Sequence, residues 1–500
     1  MLGRTVTEGS ALPAPPAGSW GDVVDSDAAR LHELGYEQEL TRRLRLLDNA
    51  AMGFATISPV VGLYAVVLIG TIVAGPAWVW VLPVALAGQC LLLSVYSELA
   101  SEFPISNGVY QWSRRLLGNG YGWFSGWVAL WAYGVANTTI AYLGAPWALT
   151  ILGLEATPRA LVVAGVVLVL VASVANLFGI ETLRRAVNLG VAAEALASVG
   201  IGIVLLVAFR HQDFSIVVHT LGAEQLSGSS VAAFLAALAV AGWIFIGFDA
   251  CVGTSEETRN AARHVPKAVW LALLSVAAIV ILNAVAVALA HPAPAKVVAG
   301  EDLDPVTTAV VTSFGSWSTK PFAAVVLVAF LACSTAAQAL TARAVYSVAR
   351  DGVLPASAAL RKIDRRGVPF NALLAVTAVA CAGLLFGLQS AAIGSLIAFG
   401  TAAIYVAFLL VAVAALVARA RGRWEPVGSV RRGRAGLPLN ALAVAWLLFE
   451  SVNVAWPRSS LAPAGAPWYQ IWAAPIVLAA ISVVGLGYLL VARPHWKLGR

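Results

Sequence analysis

The chain has 500 residues, of which 60% are hydrophobic and only 11% charged, with a formal net charge of +7 and a mean hydropathy of +0.83. Soluble domains carry roughly 25% charged and 45–50% apolar residues, so a soluble globular protein is excluded. Partitioning into a lipid bilayer is implied instead.

Residues 1–47 are polar, include the Pro-rich ALPAPPAG, and lack a short apolar core followed by a cleavage site. They read as an N-terminal tail, disordered to about residue 30. Twelve apolar runs follow, at 48–72, 77–100, 121–150, 159–178, 184–209, 230–255, 267–290, 322–349, 369–387, 391–418, 438–456 and 471–492. Each is long enough to cross the hydrocarbon, which takes roughly 20 helical residues. The expected organisation is a tail (1–47), helices one to five (48–209), helices six to ten (230–418), helices eleven and twelve (438–492) and a C-terminal tail (493–500).

Basic residues fall on alternate loops. One side carries Arg42, Arg43, Arg45, Arg114, Arg115, Arg184, Arg185, Arg259, Arg263, Lys267, Arg361, Lys362, Arg365 and Arg366, and the loop after helix ten adds six more arginines. The opposite loops hold only Arg159, Arg210, Lys296, Lys320 and Arg458. The positive-inside rule then puts both termini in the cytoplasm, and the net charge needs no nucleic-acid partner. Cys90, Cys251, Cys333 and Cys381 are dispersed within spans without metal or disulfide spacing, and read as packing residues.

If helices one to five and six to ten are related units, the odd number of crossings inserts the second upside down. That is the inverted-repeat architecture of secondary transporters, which predicts interrupted helices at matching places in both halves. Helix one contains Ser58-Pro59-Val60-Val61-Gly62, and helix six contains Gly247-Phe248-Asp249-Ala250. Pro lacks an N–H and clashes with the preceding turn, while Gly permits unusual backbone angles. Gly and Pro also serve ordinary packing in membrane helices.

Four motifs carry a resemblance. LGYEQELTRR (34–43), YSELASEFPISNGVYQW (96–112), GFDACVGTSEETRNAARHVPKA (247–268) and TARAVYSVARDGVLP (341–355) stand in family order. They are similar to those of the amino acid/choline transporter branch of the amino acid–polyamine–organocation superfamily. One departure is Ser106-Asn107-Gly108 where the family usually has a Gly-Gly pair; Asn tolerates the left-handed backbone such a turn needs. The resemblance implies an all-α, twelve-helix LeuT-type fold, with ten core helices and two peripheral ones. It also implies transport of an amino acid, a related amine or choline, as a coupled permease, a facilitator or an exchanger. No enzyme motif such as HExxH or GxSxG occurs, no pore filter appears, and neither a cofactor nor a metal is expected.

By that resemblance Ser58, Pro59, Val60, Val61, Gly62, Gly247, Phe248, Asp249 and Ala250 are the expected substrate site. Asp249 has three readings: a cap for the second half of helix six, a partner for a substrate ammonium, or a proton carrier, since an ionisable group within a span normally faces a cavity or a partner. Phe248 reads as a gate. Trp131 on helix three reads as either a pocket wall or packing, and Trp123 as an interfacial belt residue. Glu194 on helix five is approximately alignable to a lysine that some proton-coupled relatives carry there; it reads as a coupling group or as a structural hydrogen-bond partner. Ser334 and Thr335 are candidate hydroxyls for sodium or for helix packing, and a proton is favoured over sodium as coupling ion. Glu256, Glu257, Arg259, Arg114 and Arg115, with Arg184, Arg185, Arg343, Arg350 and Asp351 as further members, form an expected solvated cytoplasmic gate in which surface pairs contribute about 0–1 kcal/mol each.

Overall fold

The computed structural model describes residues 20–462 and 465–499. Among them there is no β-strand, only an isolated bridge between Leu44 and Thr258. Ten helical stretches among the described residues are long and apolar enough to cross a membrane. One of these, Leu46–Glu102, is 57 residues long. At 1.5 Å per residue it is far longer than the hydrocarbon is thick, and it divides into α2 (Leu46–Ile57), α3 (Pro59–Ala74) and α4 (Val81–Glu102).

After α4 come a short α5 (Gly108–Leu117), the long α6 (Asn119–Leu152), α7 (Pro158–Leu177) and α8 (Ile180–Ala208). The second half contains α9 (Ser230–Ala241), a single turn α10 (Ala250–Gly253), α11 (Ala261–Ala290), α12 (Thr319–Arg350), α13 (Phe370–Leu384) and α14 (Ser390–Ala420). Two further helices close the chain, α15 (Gly436–Ala455) and α16 (Ala473–Val491). In an apolar 18-residue window of each, 72% of the residues are buried in the stretch containing α12 and only 11% in α16, which puts α12 at the centre and α16 at the lipid-facing edge. The long α6 packs against α5, α7, α12 and α14, and so ties the two halves together.

On α8 the buried residues Leu183, Val187, Gly190, Glu194, Ser198, Gly202 and Leu205 recur every three or four positions, one narrow stripe of a helix that otherwise faces outward. A Cβ on Gly190 would lie 2.6 Å from Ala332 Cβ, so glycine is what lets α8 approach α12 closely.

The N-terminal segment corrects the expectation of disorder to about residue 30. A helix α1 spans Trp20–Glu33, ahead of the others in the chain; residues 1–19 lie outside the described part. Composition alone does not order it, but docking does: Leu31, Leu34 and Leu40 are buried, and the Asp27 carboxylate accepts the N–H groups of Asn260 and Ala261 at the start of α11. Burial raises the Asp27 carboxyl above its ordinary range, while Arg42 and the two N–H groups oppose that rise. The Ser106-Asn107-Gly108 turn forms as its composition allows, with Asn107 left-handed at φ 60°.

Candidate functional site

Two interruptions build the site. Helix α2 stops at Ile57 because Pro59 offers no N–H to continue it. Ser58 turns the chain at φ 48°, ψ 112°, and its Oγ accepts the Val61 N–H to start α3. In the second half, α9 ends at Ala241 and regular helix resumes only at Ala250. Between them Gly247 adopts φ 119°, where an added Cβ would sit 2.8 Å from the Thr56 carbonyl carbon and 2.9 Å from the Ile57 nitrogen. Only glycine satisfies both demands, so the two interruptions touch backbone to backbone at Gly247.

A cavity of about 40 Å³ lies at this junction. Thr56, Ile57 and Val61 line it from the first interruption and Trp243, Ile246, Gly247 and Asp249 from the second. Tyr133, Asn137 and Ile140 come from α6, Cys333, Ala337, Leu340 and Thr341 from α12, and Ile404 from α14. Its volume is near that of a single water, well below the several hundred Å³ of a small-molecule pocket. Most of its lining residues are buried, so the protein is closed around it. Asp249 is 4% exposed and its Oδ2 accepts the Tyr133 hydroxyl from α6. Asn137 donates to Thr341 Oγ1 at 2.8 Å, linking α6 to α12 across the same wall.

A second buried carboxylate stands just behind the first interruption. Glu194 is fully buried; its Oε1 accepts the Ser58 hydroxyl at 2.5 Å and the Val60 N–H at 3.0 Å. An acidic group at the N-terminus of α3 is favoured by the dipole and by the otherwise unpaired N–H groups there. Its other oxygen has no protein partner among the described residues.

The face that carries the N-terminus is sealed by a buried ionic lattice. Glu256 accepts both Arg350 terminal nitrogens at 2.9 and 3.0 Å, and the Ser106 N–H at 3.1 Å. Glu257 takes two bonds from Arg343. Asp351 collects Arg114, Tyr110 and Tyr36 at 2.7, 2.7 and 2.8 Å. The segment before α2 crosses this lattice like a strap. Tyr36 lies under the Arg350 guanidinium, 4.0 Å from its ring centroid, and Arg42 donates to the Ser255 and Thr258 carbonyls. Burial, followed by the adjacent Asp351 charge, pushes the Tyr36 and Tyr110 phenols above their ordinary values.

The profile of the family described as amino acid permease matches residues 44–481. The chain belongs to that family. It is 27% identical to the amino-acid permease BAT1 homolog of Oryza sativa subsp. japonica, over 95% of each chain. It is 26% identical to the vacuolar cationic amino acid transporter 4 of Arabidopsis thaliana, over 79% of this chain and 66% of that one. The branched-chain amino acid permease BcaP of Lactococcus lactis subsp. cremoris is 27% identical over 73% of this chain and 80% of its own.

Within this permease several expected site residues stand elsewhere. Of the nine residues expected in the two interruptions, Val61, Gly247 and Asp249 line the cavity. Ser58 and Val60 are turned to Glu194, and Pro59, Gly62 and Ala250 are buried without lining it. Phe248 does not line the cavity: its ring is stacked on Phe408 at 5.3 Å and edge-on to Tyr96 at 5.6 Å. Trp131 is 40% exposed on the outer face of α6, beside Trp127, so it is not a pocket wall. Trp123 is buried, stacked between Trp127 and Tyr488, instead of forming an interfacial belt.

The Asp249 side chain makes no cap bond to α10; its partner is Tyr133. Thr335 donates to the Leu331 carbonyl of its own helix, and the buried Ser334 hydroxyl has no partner among the described residues, so neither side chain is hydrogen-bonded to helix one. Cys333 does, with Sγ 3.4 Å from the Thr56 carbonyl oxygen. In the gate, Arg114 and Arg115 do not pair with Glu256 or Glu257: Arg115 donates to the Leu34 carbonyl and Arg259 to that of Arg42. Arg184 pairs with Asp48 and Glu181, and Arg185 with Glu181. The lattice is buried, with both glutamates at most 1% exposed, so the surface-pair energies expected for it do not apply. Tyr133, Asn137 and Thr341 were missed; a polar i, i+4 pair inside the α6 span was the signal for the first two.

Proposed function

We propose that this permease is a secondary transporter of amino acids that works by alternating access around the Gly247 junction. The observation that carries the reading is the meeting of two interrupted helices, from different halves of the chain, at a closed cavity whose wall holds the Asp249–Tyr133 pair. Taking Leu46–Glu102 as two crossings, and α9 with α10 as one more, brings the ten spans to twelve. We read these as a five-plus-five inverted repeat with α15 and α16 peripheral. The distribution of basic loops supports cytoplasmic termini, and the plasma membrane is the membrane we assign.

The chemistry of the cavity favours the amino end of a substrate. The C-terminal end of α2, at Thr56 and Ile57, carries the negative end of a helix dipole, and Asp249 adds a carboxylate. Both suit an ammonium. The α3 N-terminus, the usual docking point for a substrate carboxylate, is already held by Glu194. Apolar side chains Val61, Ile140, Ile246 and Ile404 line the remaining wall, compatible with an aliphatic or a long cationic side chain, the two classes named among the relatives. Glu194, within reach of the first interruption and with one oxygen unpartnered, is the group we assign to proton coupling. Opening toward the N-terminal face requires Glu256 and Glu257 to part from Arg350 and Arg343.

Counterflow uptake in proteoliposomes tests this, using a panel of branched-chain, small neutral and cationic amino acids, with choline as the quaternary amine, each under imposed proton and sodium gradients. Exchange or accumulation of amino acids is expected. Movement of choline alone would replace the amino acid reading with a quaternary-amine facilitator, and no movement of any solute would refute both.

A further inference from the structure

Beyond the last span the chain turns at Arg493, which adopts φ 47°, into a 3-10 helix Pro494–Gly499. Leu498 seats this turn against the cluster of Tyr110, Trp123, Val348 and Val353. Between the turn and the start of α6 lies an open cleft of about 750 Å³. Arg493, His495 and Lys497 line it from one side and Asn119 and Gly120 from the other, and among the described residues no carboxylate lines it. The α6 N-terminus receives no side-chain cap, so its dipole adds to the three basic groups.

Two features set the depth of this cleft in the bilayer. Trp496 is 61% exposed with the Arg493 guanidinium 4.5 Å from its ring centroid, the amphipathic arrangement of the headgroup level. Directly before the turn, α16 presents Val484, Leu490 and Val491 outward at 59, 71 and 86% exposure, an apolar track along which acyl chains can lie. A basic cleft above an apolar track is complementary to an amphiphile with an anionic head.

We propose that this cleft binds the phosphate headgroup of an anionic phospholipid from the leaflet on the N-terminal face. Lipid phosphate would bridge Arg493 and Lys497, with the α6 N-terminus behind it. Occupancy reaches the gate by contact: the turn that carries the cations rests on the Tyr110 cluster, and the Tyr110 hydroxyl binds Asp351. Bound lipid therefore steadies the closed lattice.

The test titrates the purified full-length chain in neutral detergent with short-chain phosphatidylglycerol, short-chain phosphatidylcholine and glycerol 3-phosphate, and reads bound lipid by native mass spectrometry. Saturable phosphatidylglycerol binding is expected, weakened about thirtyfold by the double change Arg493→Gln and Lys497→Gln, as two lost basic contacts imply. The change Arg421→Gln with Arg423→Gln, also exposed on that face, should leave binding unaltered. No saturable binding, or equal weakening by the control pair, overturns the proposal. Equal affinity for phosphatidylcholine removes the anionic requirement, and displacement by glycerol 3-phosphate at matching concentration makes the cleft a soluble-phosphate site; either outcome refutes the lipid assignment. A photoreactive phosphatidylglycerol headgroup needs no variant: labelling within residues 493–497 supports the site, and labelling only elsewhere defeats it.

Discussion

Removing the Arg343 guanidinium, as in Arg343→Met, should open the permease toward its N-terminal face. Glu257 is 1% and Arg343 5% exposed, and the pair is bidentate. Deleting one partner of such a pair leaves an uncompensated buried charge, at a cost of about 3–5 kcal/mol. If the pair exists only in the closed state, the open-to-closed ratio rises between about a hundredfold and a few thousandfold. Cys333 is a built-in reporter, since its side chain lines the cavity and is fully buried while the gate is shut. In a background with Cys90, Cys251 and Cys381 replaced, the rate of Cys333 modification by a small water-soluble thiol reagent added from the N-terminal face should rise at least about tenfold, allowing for water reaching the pair. The double change Arg343→Met with Glu257→Met removes both charges and should return the rate most of the way to that of the parent, because a buried pair replaced on both sides by apolar groups leaves no orphan. An unchanged rate in well-folded Arg343→Met protein, or a double variant as reactive as the single, would refute the gating role.

Other outcomes follow from the site. Tyr133→Phe leaves the Asp249 carboxylate without its hydroxyl partner and should change the transport KM by about five- to a hundredfold, from the roughly 1–3 kcal/mol of an unsatisfied buried group, whereas Asp249→Asn should abolish uptake without loss of monodisperse protein; normal uptake by Asp249→Asn would reduce it to scaffold. Glu194→Gln keeps an acceptor for the Ser58 hydroxyl and the Val60 N–H but cannot release a proton, so exchange should persist while proton-driven accumulation disappears; Glu194→Ala should also lower thermal stability by about 1.5–3 kcal/mol. Gly247→Ala combines φ 119° with a Cβ 2.8 Å from backbone and should abolish transport, while Gly200→Ala, where nothing lies within 4 Å, should be silent in the same uptake assay.

Much of the fold was legible in the chain because its signals are local. Hydropathy over about twenty residues marks a span wherever it lies, and Pro59 interrupts α2 through its own missing N–H. Asn107 likewise takes a left-handed turn that its side chain tolerates. Trp20–Glu33 was not legible, since its order comes from distant partners at Asn260 and Ala261. The buried character of the ionic lattice was hidden for the same reason. Glutamates and arginines at a span's end read as solvated, and only the strap laid over them removes the water.

For the site, local chemistry determined that interruptions occur at Ser58-Pro59 and near Gly247, and that Asp249 and Glu194 sit inside spans where a carboxylate requires a partner. Tertiary packing decided which partner. An unwound segment has no period from which to read direction, so Phe248 and Asp249, adjacent in the chain, take different partners: one the Tyr96–Phe408 cluster, the other Tyr133 at the cavity. Trp131 faces outward because the rotation of α6 is set by its contacts with α12 and α14, a property of three helices together and of none alone.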